Sequence, residues 1–254
     1  ALQKLQVDVA IEDVSPANQM LAIDYGAGRA VSSEDSPNLI IVCVPPDVTA
    51  AVVARELEAH PEAFVTDVAS VKSAILEQLR QNGSDLSRYV GSHPMAGRER
   101  GGAASGRADL FFGRVWVVVP SETSSAKARQ AVENLALDLS SAPVEASAAE
   151  HDRAVAFVSH VPQLISSITA ASLIDASDED IALAGQGVRD TTRIAASNPK
   201  LWLQILSANA PEVLAVLRNV QNDLGAVMQA LENPEVSGSL STLNSLLERG
   251  NAGV

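Results

Sequence analysis

NLIIVCVPP, residues 38–46, is the stretch that decides the fold. Leu39, Ile40, Ile41, Val42 and Val44 form a continuous apolar run, so the strand it predicts is buried on both faces. Two prolines end the run, because a residue without an N–H cannot extend a ladder. VTAAVVARELEAH (48–60) then reads as a helix. A doubly buried strand alternating with a helix implies a parallel sheet covered on both sides.

The same alternation extends outward. VDVAIEDV (7–14), AFVTDVAS (63–70) and RVWVVVP (114–120) read as strands. VKSAILEQLR (71–80) and SAKARQAVENLALDL (125–139) read as helices. The class is α/β, a Rossmann-like, doubly wound, mostly parallel sheet. From about Ala149 the strand pattern stops. Phe157, Val158, Val161, Leu164, Ile165 and Ile168, then Leu214, Leu217, Val220, Leu224, Val227 and Leu231, recur at helical spacing. The expected division is a dinucleotide-binding domain over 1–148, incomplete at its N-terminus, and an all-α domain over 149–254. Pro162 is expected to kink its helix, Asn198-Pro199 to start one, and the tail RGNAGV to fray.

The chain has 254 residues, 46% apolar and 3% aromatic, so its core is mostly Ala, Val, Leu and Ile. Its formal charge is 18 − 31 = −13, which argues against nucleic acid or an anionic membrane as partner. Cys43 is the only cysteine, so no intrachain disulfide is possible. No apolar run of about 18 residues predicts a membrane span. ALQKLQVDVAIED lacks the features of a signal peptide. The expected location is cytoplasmic.

Candidate site residues fall at strand ends, where open α/β sheets bind ligands. Asp13 follows the first visible strand, where a carboxylate can accept from adenosine ribose hydroxyls and repel a 2′-phosphate. That favours NAD over NADP; the alternative is an Asp that merely starts a helix. The glycine-rich strand–loop–helix unit expected before it is not in the sequence given, and GAGRA (26–30) does not replace it. The expectation is that the first strand and loop lie upstream. Val44, Pro45 and Pro46 would form a stiff wall against a flat ring, or a plain strand-ending turn. Ser70, in TDVASVK (66–72), would cap a helix or face a substrate. His93, in GSHPMAG (91–97), sits at an expected strand exit beside Ser70.

The run GSHPMAGRERGG with RADLFFGRVWVVVP closely resembles the prephenate dehydrogenase family, the oxidoreductases of tyrosine biosynthesis. TDVASVKSAI, EHDRAVAFVSHVPQ (150–163) and GQGVRDTTRIAASNPKLW (185–202) continue the resemblance in the family's order.

The resemblance implies an NAD-dependent enzyme that moves a hydride from a cyclohexadienol to the nicotinamide as the ring loses carbon dioxide. It implies His93 as the catalytic base, with Ser70 orienting the same hydroxyl or the histidine. It implies Arg193 as the grip on the ring carboxylate, with Glu99 and Asp190 holding the pocket through ion pairs and Arg189 as a further cation. Asp190 could equally pair with Arg193 directly. His151 and His160 match family histidines that are either functional or structural. The sequence departs from many members at Gln163, where they carry a second histidine near the substrate side chain. A neutral Gln repels an ammonium less than a protonated His, which leaves arogenate open beside prephenate. The apolar stripes of the helical domain imply a homodimer. Two other readings remain: a non-catalytic ligand-binding descendant, and a 3-hydroxy acid dehydrogenase. The latter would need a lysine in the helical half, where Lys200 is the only one.

Overall fold

The computed structural model describes residues 2–97 and 102–254. After a 3₁₀ turn at Leu2–Leu5 come β1 (Ala10–Ile11), α1 (Pro16–Asp24), β2 (Arg29–Ala30), β3 (Leu39–Val42), α2 (Pro46–Ala59), β4 (Phe64–Asp67) and α3 (Ser73–Gln81). They are followed by β5 (Val90–Pro94), β6 (Val115–Pro120), α4 (Ala126–Asp138) and β7 (Ala142–Glu145). β1 with β2, β3 with β4 and β6 with β7 pair in parallel, and β5 with β6 antiparallel. A bridge between Val65 and Tyr89 links β4 to the entry of β5.

The unbroken apolar run of β3 has its expected cause. Ile40 and Val42 pack into one core with Val53, Val65, Ile75 and Leu79. Leu39 and Ile41 pack into another with Val90, Trp116, Val118 and Val132. Alternate residues thus feed cores on opposite faces of the sheet.

Three strand expectations need correction. The strand expected over 7–14 is confined to Ala10–Ile11. Its ladder runs only to β2, through Arg29 N–H to Val9 O and Val31 N–H to Ile11 O, so alternation beyond that contact earns no strand. Gly28 sets this approach, since a Cβ there would lie 2.3 Å from Val9 O. His93 is inside β5, opposite Val117, rather than at a strand exit. β7 was not expected; its Pro143 is tolerated because the strand pairs on one side only, with β6.

The rest is helical: α5 (Ala148–Val155), a π-turn (Ala156–His160), α6 (Val161–Ser172), α7 (Asp178–Ala182), α8 (Gln186–Thr192), α9 (Pro199–Ala208), α10 (Ala210–Glu232) and α11 (Ser239–Ala252). Pro162 has no N–H for the ladder, and the helix widens into the π-turn just before it. Asn198 caps α9 by accepting from Lys200 N–H. The tail does not fray at Arg249, because α11 continues to Ala252.

Against the expectation of no span, the helical run Ala148–Asp175 is long and apolar enough to cross a membrane by length and composition. Buried His151, Asp152 and His160 lie within it and bond to the neighbouring elements, which packs its first half against the rest of the protein. Ala156, Val161, Val213 and Val216 join α6 to α10 in a third core. Leu214, Leu224, Met228 and Leu231 of α10 stay exposed.

Candidate active site

His93 and His151 meet across the junction of sheet and helices. His93 Nδ1 lies 2.8 Å from His151 Nε2, with the rings at 68°. The other nitrogen of His151, Nδ1, lies 2.8 Å from Asp152 Oδ1. Asp152 also accepts Lys72 N–H at 2.9 Å and Ser73 N–H at 2.8 Å. Burial pushes the Asp152 carboxyl up, but bonds from His151, Ser73 and Lys72 outweigh it and hold the pKa below the usual value. A cleft of about 480 Å³, lined by Met95, Val117, His151 and Val155 among others, opens beside this chain.

A buried polar cluster fixes β5 from beneath. Lys72 pairs with Asp67 and donates to Ser92 O at 2.8 Å. Tyr89 OH donates to Asp67 Oδ2 at 2.6 Å. Gly91 makes room, since a Cβ there would lie 3.1 Å from the Tyr89 hydroxyl and 3.3 Å from Lys72 Cδ. Ser92 donates to Asp67 O at 2.8 Å, tying the residue before His93 to the end of β4. Burial, followed by the charges of His151 and Lys72, holds the His93 pKa well below 6.5. Its imidazole is therefore neutral at neutral pH.

Ser70 is half-buried at the bend after β4, and its hydroxyl has no partner among the described residues. It does not cap α3: Lys72 stands at that position with its side chain turned to Asp67 and Ser92 rather than to the helix, and Asp152 supplies the cap from α5.

His160 is fully buried in the π-turn. Asn209 Nδ2 lies 3.1 Å from its Nδ1 and also donates to Asp152 O at 2.8 Å. An amide N–H donates, so His160 Nδ1 accepts and the ring proton sits on Nε2. That Nε2–H is buried and has no partner among the described residues. Burial lowers the His160 pKa to about 4.

Gln163 is buried and donates to Ile194 O at 3.0 Å. It thereby holds the turn Arg193–Ala196, whose first residue is the exposed Arg193. Asp190, the alternative partner for Arg193, instead accepts from Gln186 Nε2 at 2.7 Å, one helical turn back. Arg189 is exposed on α8. Glu99 lies outside the described residues.

At the other strand tips, Asp13 is exposed, two residues past β1, and accepts only Ser15 N–H, at 2.8 Å. Val44 to Pro46 join β3 to α2, with Thr49 Oγ1 donating to Val44 O and Pro45 O. Gln204 of α9 donates to Asp47 at 2.8 Å, so the helix after the Arg193 turn leans on the helix that Pro46 begins. Asp152, Lys72 and Asn209 were missed in sequence. The signals were faint: a His-Asp pair at a helix start and a lysine shortly after Asp67 in DVASVK.

Residues 2–144 match the family model described as the nucleotide-binding domain of prephenate dehydrogenase, and residues 147–245 the one described as its dimerization domain. The chain is 33% identical over 243 residues to a probable prephenate dehydrogenase of Streptomyces niveus, covering 95% of itself and 67% of that protein. It is 30% identical over 219 residues to the prephenate dehydrogenase of Bacillus subtilis, covering 82% of itself and 57% of that protein. A crystal structure of prephenate dehydrogenase from A. aeolicus, in complex with hydroxyphenyl propionate and NAD+, superposes with a TM-score of 0.81 at 24% identity, covering 94% of this chain and 87% of that one.

Proposed function

The chain belongs to the prephenate dehydrogenase family, and on that premise we propose that it converts prephenate to 4-hydroxyphenylpyruvate and carbon dioxide, with NAD as hydride acceptor, in tyrosine biosynthesis. The observation that carries this reading is a neutral His93 on β5 backed by His151 from α5. Such an imidazole can take the proton of a substrate hydroxyl, a contribution of roughly 10²–10⁴ in rate.

The residues fit the cofactor. The exposed Asp13 carboxylate has lone pairs left for ribose hydroxyls, and Glu12 beside it adds negative charge against a 2′-phosphate. Val44, Pro45 and Pro46 would wall the nicotinamide side. When bound, NAD supplies the hydride acceptor. His93 accepts the hydroxyl proton while the carbonyl forms. It returns that proton as the electrons freed by loss of carbon dioxide reach the same oxygen. Ser70 orients that hydroxyl, and Arg193, with Arg189 nearby, holds a substrate carboxylate in a bidentate fork. Asp190 belongs to the rim of this pocket. His160 offers its unpaired Nε2–H to the substrate.

Gln163 favours a second reading. Its amide nitrogen is engaged by Ile194 O, which leaves its carbonyl oxygen as the acceptor for an ammonium. An arogenate dehydrogenase that forms tyrosine directly would use it so. The exposed leucines of α10 pair two copies in a homodimer, and the enzyme works in the cytoplasm. The test is the initial rate of NADH formation by the full-length protein with prephenate and, separately, arogenate. A faster rate with one names the substrate; no rate with either overturns the reaction.

A further inference from the structure

We propose that His151 and Asp152 are positioning residues that hold His93 in the tautomer whose Nε2 is bare and able to take the substrate proton. The inference rests on the reaction proposed above. Asp152 accepts both backbone N–H groups at the start of α3, as an ionised carboxylate does. A carboxylate only accepts, so the hydrogen between Asp152 and His151 belongs to His151 Nδ1. A neutral imidazole carries one ring hydrogen, which leaves His151 Nε2 as an acceptor. The hydrogen shared at 2.8 Å with His93 must then come from His93 Nδ1. His93 Nε2 is left with its lone pair and no hydrogen.

The direction of this chain matters during the reaction. The substrate O–H bond breaks, its proton passes to His93 Nε2, and the carbon–hydrogen bond beside it gives up its hydride. His93 then carries a positive charge and donates through Nδ1 toward His151, behind which stands the Asp152 carboxylate. A neighbouring carboxylate that orients an imidazole and supports its charged form is an established device of general-base catalysis. Here it reaches His93 through one intervening ring. Other charged or titratable groups bear on His93: Lys72, itself paired with Asp67 at the end of β4, and His160 from the π-turn. His151, Lys72 and His160 oppose a charge on His93, whereas Asp152 favours one.

The test is nitrogen NMR of the full-length protein labelled with ¹⁵N-histidine, its histidines assigned by single substitution. The expected result at neutral pH is that His93 and His151 both carry their hydrogen on Nδ1. His151→Phe keeps a ring in the space but removes the acceptor. It should leave His93 a mixture of tautomers and lower kcat about tenfold to a hundredfold with KM within about twofold. Asp152→Asn should scramble both rings and move the acid limb of kcat/KM to lower pH. His151→Phe stands alone if Asp152→Asn fails to fold. A hydrogen on His93 Nε2 in the parent protein, or a single Nδ1–H tautomer of His93 retained in His151→Phe, overturns the proposal. Expected tautomers in a protein that oxidises neither prephenate nor arogenate would sink the reaction while supporting the tautomer assignment.

Discussion

The carboxylate of Asp152 accepts the backbone N–H of Lys72, 80 positions earlier in the chain. One side chain of the helical half thus caps a helix of the sheet half. It also takes Ser73 N–H and the His151 ring. A buried capping carboxylate with such partners cannot be removed without leaving donors unpaired. Asp152→Ala should cost about 3 kcal/mol, from the lost cap and the stranded ring donor together. A urea titration measures it; a loss under about 1 kcal/mol would show that water replaces the carboxylate without penalty.

His93 is neutral at neutral pH, and the proposed chemistry needs it so. His93→Asn should lower kcat by roughly 10²–10⁴ and leave substrate affinity within a few-fold. Because burial and nearby positive charge hold its pKa well below 6.5, kcat/KM of the parent enzyme should stay flat from neutral pH through 6.5 and fall only below it. An acid limb centred above 6.5, or a His93→Asn enzyme within about tenfold of the parent in kcat, would remove His93 from the role of base.

Arg193 begins the short turn that Gln163 holds by its neighbour Ile194. Lysine keeps the charge but not the planar fork. Arg193→Lys should therefore raise KM for the substrate about tenfold or more. Gln163→Ala should act on the same parameter in a milder way, by releasing the turn. Steady-state kinetics with both variants decides it, and an unaltered KM in Arg193→Lys would assign the carboxylate to another cation.

The sheet was legible because β3 and β4 sit between two apolar cores, so periodicity reports their burial directly. β1 misled for a related reason. The alternation of Val7, Val9 and Ile11 marks a strand, but ladder bonds depend on what lies alongside, and only two residues meet β2. His93, Ser70 and Arg193 were singled out through their surrounding motifs. Their support was not. Asp152 acts on residues that are distant in sequence, and nothing local marks a carboxylate that will cap another element. Gln163 likewise reads as a substrate contact from its position, whereas its amide hydrogens go to Ile194 and Ser167.

Acid should unfold this protein partly through its buried histidines. The folded-state pKa of His160 is lowered from 6.5 to about 4 by burial, and that of His93 is lowered well below 6.5. Lowered histidine pKa values mean that the unfolded chain binds protons first as pH falls. The stability contributed by keeping these rings neutral is complete above 6.5, declines as pH drops through that value, and for His160 levels off near 4, where the folded ring also protonates. Urea midpoints measured between about pH 7.5 and about pH 4 should therefore fall on the acid side. In His160→Gln the ring that titrates is gone, while an amide oxygen remains to accept from Asn209. That variant should lose part of the slope between 6.5 and about 4. If its midpoints fall as steeply as those of the parent, the folded His160 takes up its proton as readily as the unfolded ring when pH falls through 6.5. Its Nδ1 could then no longer be the acceptor for Asn209.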